Sequence, residues 1–304
     1  GRGAGEGAQR LGRVASWRDD SWRDEGSEWT FREGTRADLL QTWEAGDSSH
    51  QERPPLWVVS ALDFVVTLGG DGTVLWAHSI LTTGPIPPIV SFALGSLGFM
   101  TSILPDSLEA TLAHVLKGGF RISLRHRLQA VVVRADAGGG EGAVVEDRTI
   151  LNEVVIDRGV SPFLSNLDCY VDDTYITSVQ GDGLIIATPT GSTAYSLAAG
   201  GSMVHTQVPA MLFTPICPHS LSFRPLVLPD HVTLRIQVPP NSRSEVWTSF
   251  DGKHRQQLGP GDAVIIRGSG WPIPTYCKDD AISDWFRSLS ECLHWNERKE
   301  QGKL

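Results

Sequence analysis

The sequence predicts an N-terminal α/β unit and a C-terminal β-sandwich-like unit, with a final helix packing back on the first, and three observations carry that prediction. Residues 56–119 alternate apolar strand runs with amphipathic helical stretches, the pattern of a parallel sheet flanked by helices. Residues 120–274 change to short β-rich runs separated by turn residues, as expected of a sandwich. A helical stripe then returns within 275–304, assigned to the first unit. At 304 residues the chain is also longer than a typical single domain.

Taken in order, residues 1–55 are polar and rich in Gly, Arg, Asp and Glu, with a tandem Ser16-Trp17-Arg18-Asp19-Asp20 and Ser21-Trp22-Arg23-Asp24-Glu25. They read as poorly ordered and without an apolar strand. Asp63 to Leu68 is a buried-strand run that feeds Leu68-Gly69-Gly70-Asp71-Gly72-Thr73, and Val74 to Leu81 reads as a helix. Pro87-Pro88 introduces a second strand, Ile89 to Phe92. The next helix has Leu108, Leu112, Val115 and Leu116 as its apolar stripe, Asp106 or Ser107 as cap and Gly118-Gly119 as stop. The β-rich part offers runs at 127–134, 151–156, 167–171, 175–180, 183–187, 232–238, 246–250 and 264–266. In the tail, Trp285, Phe286, Leu289, Cys292 and Leu293 share one helical face.

Composition removes several functions. A net charge of −9, without basic runs interleaved with aromatics, argues against nucleic acid. No apolar stretch approaches membrane-spanning length, so no membrane role is expected. Cys169, Cys217, Cys277 and Cys292 are too scattered for a zinc site or a disulfide framework, and no signal peptide is visible at Gly1. The expectation is an intracellular protein with reduced thiols.

Three segments carry chemistry. Around Asp71, glycines are expected to allow positive φ and close ligand approach, and turn amides with the positive end of the following helix would attract a phosphate. Asp71 would project there as a base or metal ligand, although a glycine-rich turn with a solvated Asp is the plain alternative. Leu151-Asn152-Glu153-Val154-Val155-Ile156-Asp157-Arg158-Gly159 interrupts an apolar strand with an amide and an acid that demand partners, such as a ribose diol or a magnesium ion at Glu153. The plain alternative is a strand-edge Glu facing water. The third segment, Gly181-Asp182-Gly183 through Thr190-Gly191-Ser192-Thr193-Ala194-Tyr195, joins a strand to a turn of small hydroxyl residues. Its hydroxyls suit phosphate or ribose oxygens and Tyr195 suits a base, or the hydroxyls simply cap a short helix. The Gly-x-Ser-x-Gly, Gly-Lys-[Ser/Thr] and Gly-x-Gly-x-x-Gly patterns do not fit these turns. Cys217 and His219 lack a second ligand pair and read as structural.

In this order the three segments resemble the hallmarks of the NAD kinase family, over about Asp63 to Lys299. Gly95-Ser96-Leu97-Gly98-Phe99, Cys217 through Pro225 and Ser249-Phe250-Asp251-Gly252-Lys253 extend the likeness, and Gly72-Thr73-Val74-Leu75-Trp76 is most similar to plant and green-algal members. The resemblance implies magnesium-dependent transfer of the ATP γ-phosphoryl group to the adenosine-ribose 2′-hydroxyl of NAD, a phosphotransferase with an alcohol acceptor that forms NADP. It implies Asp71 as general base, Gly69, Gly70, Gly72 and Thr73 on the ATP phosphates, and Asp71 or Glu153 as candidate magnesium ligands. NAD would be held by Phe99, Asn152, Glu153, Asp182, Thr193, Ala194, Tyr195, Ala198 and Lys253, with Lys253 or Arg224 adding positive charge. The family's site lies between its two domains and is partly completed by another subunit, so a homo-oligomer, dimer or tetramer, is expected in cytoplasm or chloroplast. The calmodulin-binding region of some plant relatives finds no secure match. The family has another strand and helix before the Gly69 turn, for which residues 1–55 offer no apolar strand, so the first domain reads as incomplete and a catalytically weak or inactive dinucleotide-binding relative is the alternative reading. Rival classes are a non-catalytic dinucleotide sensor, against which intact Asp71 and Glu153 count, and a diacylglycerol-type lipid kinase, against which Asn152-Glu153 and Thr193-Ala194-Tyr195 count.

Overall fold

Apolar runs punctuated by glycine and proline account for the first unit of the computed structural model, which describes residues 14–18, 59, 62–81, 84–135, 142–242 and 245–297. The chain divides into two compact units, residues 1–122 with 274–304, and residues 123–273; the sequence set these boundaries at 119/120 and 274/275. In the first unit the strands β1 (Val14–Arg18), β2 (Phe64–Leu68), β3 (Ile89–Phe92), β4 (Arg121–Arg125) and β17 (Ile273–Cys277) lie in the order β1-β2-β3-β17-β4. β1 pairs parallel with β2, β2 with β3 and β3 with β17. All four residues of β3 and the first four of β2 are buried, as expected for central strands of a parallel sheet.

Helix α1 (Asp71–Ile80) follows β2, and α2 (Leu108–Lys117) follows β3. α1 begins three residues before the expected start, because Gly72 and Thr73 already belong to its first turn. Gly118 and Gly119 stop α2 at φ 76° and 75°, conformations that favour glycine. Ser107 occupies the N-cap position without capping through its side chain, and Leu116, expected in the apolar stripe, is exposed; Val115 is the buried member, with Leu108 and Leu112 packed beside it. Thr111 and Val115, four residues apart, are the buried positions and mark the sheet side, and Leu116, about 100° further round the helix, turns away from it.

The expectation of no strand within 1–55 does not hold, since Val14–Arg18 pairs over five residues with β2. An edge strand needs a partner only along one side, and backbone pairing demands no continuous apolar run. The first unit therefore carries the additional strand that the sequence pattern did not reveal. The rest of 1–55, including the repeat at 21–25, lies outside the described residues.

Helix α4 (Ala281–Leu293) belongs to the same unit. Asp280 caps it, accepting from the N–H groups of Ile282 and Ser283, each at 3.0 Å. Ser288 and Leu289 are its buried residues and Cys292 Sγ donates to Leu97 O at 3.5 Å. Phe286 and Leu293 were expected on the buried face but are exposed, because the inward face follows 285, 288, 289 and 292 at helical spacing.

The second unit is a sandwich of two six-stranded sheets, β12-β11-β10-β7-β14-β15 and β6-β5-β16-β13-β8-β9. The first is built from β7 (Glu153–Asp157), β10 (Gly183–Ala187), β11 (Ala210–Ile216), β12 (Leu226–Pro229), β14 (Val246–Phe250) and β15 (Lys253–Leu258). The second is built from β5 (Leu128–Arg134), β6 (Ala143–Ile150), β8 (Ser165–Val171), β9 (Thr174–Gly181), β13 (Leu234–Gln237) and β16 (Ala263–Gly268). Neighbouring strands run antiparallel. Leu128, Ala130 and Val132 from one sheet meet Val154, Ile156, Leu184, Ile186 and Phe213 from the other in one buried core. Alternate residues of β5 and β8 point inward, which is why those runs were readable at period two.

Candidate active site

In the first unit the site is organised by the step from β2 into α1. Gly69 donates its N–H to Phe92 O at 3.0 Å, and Thr73 donates to Gly70 O at 2.9 Å, closing the first turn. A Cβ on Gly69 would lie 2.1 Å from Thr73 Oγ1, so a side chain is excluded there by close approach. Gly70 is extended at φ −95° rather than left-handed, and Gly72 is helical, so the positive φ expected of these two is not what they supply. They leave open space instead, with nothing within 4 Å of a Cβ at either. The amides of 70–72 stand at the positive end of α1, where an anion is favoured.

Asp71 does not project freely. Its Oδ2 accepts from Phe99 N–H at 2.9 Å, and its Oδ1 accepts from Met100 N–H and Thr101 Oγ1, each at 3.0 Å. A Cβ on Gly98 would come within 2.2 Å of Asp71 Oδ1 and 2.6 Å of Thr101 Oγ1, which explains the glycine in Gly95 to Phe99. Three donors occupy three of about four lone-pair positions of the carboxylate, and the remaining one is on Oδ2. Asp71, the 69–73 turn and Phe99 are thus brought together in this unit.

In the second unit, β7 opens with Asn152 and Glu153, both buried. Asn152 O accepts from Thr188 N–H at 2.8 Å, and a Cβ on Gly191 would sit 2.2 Å from that same oxygen, so the Thr190 to Tyr195 turn is folded directly onto Asn152. Tyr195 N–H hydrogen-bonds to the Glu153 carboxylate, while Glu153 Oε2 has no hydrogen-bond partner among the described residues. Burial first, then the charge of Asp251, pushes the Glu153 carboxyl up to about 7. Tyr195 is 44% exposed at the start of the single turn α3 (Tyr195–Ala198), and burial with the charges of Asp157, Asp182 and Glu153 raises its phenol above the ordinary value. Asp182 is engaged by Arg158 Nε at 2.7 Å. Thr193 Oγ1 donates to Thr190 O at 3.2 Å, and Ala194 N–H to Gly191 O at 2.9 Å; Ala198 is exposed on α3.

Lys253 is exposed at the start of β15. Arg224 donates to Leu221 O and Phe223 O at 2.8 and 2.7 Å, so its side chain is turned onto its own loop. The residue that sequence reasoning passed over is Asp251, whose carboxylate accepts from the N–H groups of Leu151 at 2.9 Å, Asn152 at 2.7 Å and Glu153 at 3.1 Å. Its sequence signal was available, because Asp-Gly between two strand runs marks a two-residue hairpin. Asp251 and Gly252 adopt φ 47° and 73°, and Phe250 pairs with Lys253.

Among the described residues, no group of three or more His, Cys, Asp and Glu is placed to hold a metal ion, Cys217 and His219 included. A magnesium ion brought in by nucleotide phosphates needs only one or two carboxylates from the protein, and Asp71 and Glu153 are the candidates for that. No helix among these residues is long and apolar enough to cross a membrane.

An α/β unit with a glycine-framed carboxylate at a helix N-terminus, joined in one chain to a β-sandwich with buried Asn-Glu against a hydroxyl-rich turn, defines a two-unit nucleotide-binding class. Residues 26–120 match the ATP-NAD kinase N-terminal domain and residues 151–276 the ATP-NAD kinase C-terminal domain, and the chain belongs to the NAD kinase family. It is 54% identical over 248 residues to "NAD kinase 2, chloroplastic" of Arabidopsis thaliana, covering 80% of this chain and 25% of that one. It is 45% identical over 248 residues to "NAD(+) kinase" of Saccharomyces cerevisiae, covering 79% and 46%. Among solved structures it is similar to a yeast NADH kinase complexed with NADH, at TM-score 0.75 and 36% identity, covering 87% of this chain and 72% of that one. The chain spans about half or less of the length of the plant relatives it matches, 52%, 48% and 25% for three of them.

Proposed function

We infer that the chain is an NAD kinase, transferring the γ-phosphoryl group of ATP to the adenosine-ribose 2′-hydroxyl of NAD. The observation that carries this reading is Asp71, an oriented carboxylate at the positive end of α1 with one acceptor position left on Oδ2. Phosphoryl transfer needs alignment of nucleophile and phosphate together with neutralisation of charge, and little covalent chemistry from the protein. Asp71 takes the proton of the 2′-hydroxyl as that oxygen attacks the γ-phosphorus, and the bond from the γ-phosphorus to the β–γ bridging oxygen breaks to release ADP. The amides of Gly70, Asp71 and Gly72 receive phosphate oxygens, and Gly69 and Thr73 hold the turn in shape. Magnesium, bound with ATP, supplies neutralisation of the phosphate charge.

Asn152 and Glu153 hold the adenosine ribose, Tyr195 and Thr193 line the base, and Phe99 adds an apolar wall. Asp182, Ala194 and Ala198 serve the rest of the dinucleotide, and exposed Lys253 contributes positive charge. The same family includes an NADH kinase solved with NADH, which supports a dinucleotide as the acceptor. A location in chloroplast or cytoplasm extends the reading, one relative being named chloroplastic, and a homo-oligomer is carried over from the family resemblance of the sequence motifs.

Incubation with NAD and Mg·ATP followed by an NADP-specific coupled assay tests the reading. NADP formation dependent on both substrates is expected. Folded protein that binds NAD and forms no NADP would leave the dinucleotide sensor as the better description.

A further inference from the structure

We propose that Asp251 is a positioning residue for NAD, locking the Leu151–Glu153 turn so that Asn152 and Glu153 face the adenosine ribose. The proposal rests on the NAD kinase reading for the identity of the ligand. Asp251 is the first residue of the tight turn between β14 and β15, and a hairpin Asp in that position ordinarily points to solvent or bonds to its own turn. Here it reaches 98 to 100 residues back along the chain and accepts from three successive amides, those of Leu151, Asn152 and Glu153. Its own N–H donates to Glu153 O at 2.9 Å, so the turn is bound to Asp251 through both side chain and backbone.

The opposite side of the same turn is closed by the hydroxyl-rich segment. Thr188 N–H donates to Asn152 O at 2.8 Å, and Gly191 approaches that oxygen so closely that a Cβ would lie 2.2 Å away. Asn152 and Glu153 are therefore clamped between two elements, with little freedom to adjust their backbone. The Glu153 side chain is 7% exposed and its Oε2 has no hydrogen-bond partner among the described residues, which points to a group outside the chain as the missing donor. A ribose hydroxyl supplies such a donor.

The use of a carboxylate at position 251 also needs a reason. Asp251 brings negative charge toward Glu153, which disfavours the charged form of that neighbour, and an architectural acceptor would not require it. What the second oxygen supplies is simultaneous acceptance from all three amides, two on Oδ1 and one on Oδ2. Burial lowers the guanidinium pKa of Arg127, 1% exposed, to about 10, and the Asp251 charge works against that lowering, so the anion faces a cation on another side.

Asp251→Asn is the discriminating variant, because its oxygen can still accept from Asn152 and Glu153 while its amide group cannot accept from Leu151. Calorimetric titration with NAD and, separately, with Mg·ATP reads the effect, with thermal unfolding recorded on the same samples. The NAD dissociation constant is expected to rise about 10-fold for Asp251→Asn and about 100-fold for Asp251→Ala, the scale on which small displacements of positioning groups act. The ATP dissociation constant should stay unchanged. In an Asn152→Ala background, adding Asp251→Asn should weaken NAD binding by much less, since one of the groups being positioned is gone.

Unchanged NAD affinity in Asp251→Asn overturns the proposal. So does an equal loss of NAD and ATP affinity together with thermal stability, or recovery of the variant only as unfolded protein, since each assigns Asp251 to the fold alone. A wild-type chain that binds no NAD overturns the underlying reading and this one with it. Wild-type binding matched by both variants overturns this one alone.

Discussion

Asp71 and Asp251 use the same device in the two units. Each is a carboxylate that takes three hydrogen bonds from a loop elsewhere in the chain, mostly from backbone N–H groups. They differ in what surrounds them. Asp71 stands at the start of a ten-residue helix with open space at Gly70 and Gly72, so it can meet a ligand. Asp251 is in a hairpin turn, and its work is done on Asn152 and Glu153, which can. One geometry serves as reacting group or as scaffold depending on what stands beside the carboxylate, open space at a helix N-terminus for Asp71 and the Leu151 to Glu153 backbone for Asp251.

The largest effect should come from Asp71. Asp71→Asn removes the charge and the proton acceptor, and kcat for NADP formation should fall by about 10² to 10⁴, with NAD affinity nearly intact. The amide group would also oppose one of its present donors, costing about 1–3 kcal/mol of stability. Steady-state assays and thermal unfolding on one preparation measure both, and a rate close to wild type would remove the base assignment and with it the contrast between the two aspartates.

Next comes the pH dependence of Glu153, which separates the second unit from the first. Its folded value, raised from 4.5 to about 7, means that the carboxyl is neutral in both states below pH 4.5. Between those values the unfolded chain releases a proton that the folded chain keeps. Stability therefore falls as pH rises through this window, by about 3 kcal/mol at most, and the contribution of this one group is gone above the folded value. Glu153→Gln should abolish that slope and be the more stable protein at pH 8. Parallel unfolding curves for wild type and variant from pH 4 to 8 would refute it.

Two glycines give a paired test. Gly98→Ala puts a Cβ 2.2 Å from Asp71 Oδ1, whereas Gly191→Ala puts one 2.2 Å from Asn152 O. Each should cost about 1–3 kcal/mol through overpacking. The functional losses should divide, with kcat reduced in Gly98→Ala and NAD affinity in Gly191→Ala. Identical kinetic defects would show that the two carboxylates do not have separate tasks.

The smallest effect is expected at Tyr195, 44% exposed. Tyr195→Ala should change stability by less than about 0.5 kcal/mol while weakening NAD binding by about 1 kcal/mol. An unaltered NAD dissociation constant would take Tyr195 out of the site.

Local pattern alone was enough for the strands with period-two burial, such as β5 and β8, and for the buried runs of β2 and β3, because burial on a sheet writes itself into neighbouring residues. It also singled out Asp71 and the Asn152-Glu153 pair as candidates, since glycines around an acid and polar groups within an apolar run are visible without a fold. Tertiary structure decided the rest. β1 depends on backbone pairing with β2, and that pairing leaves little mark on a polar sequence. The inward face of α4 was settled by which side meets its neighbours, so Phe286 and Leu293 turned out exposed despite their apolar character. Asp251 shows the reason most plainly: its hairpin is a local fact of Asp-Gly, but its three partners lie 98 to 100 residues away, and a hydrogen bond over that separation exists only once β14 has paired with β7.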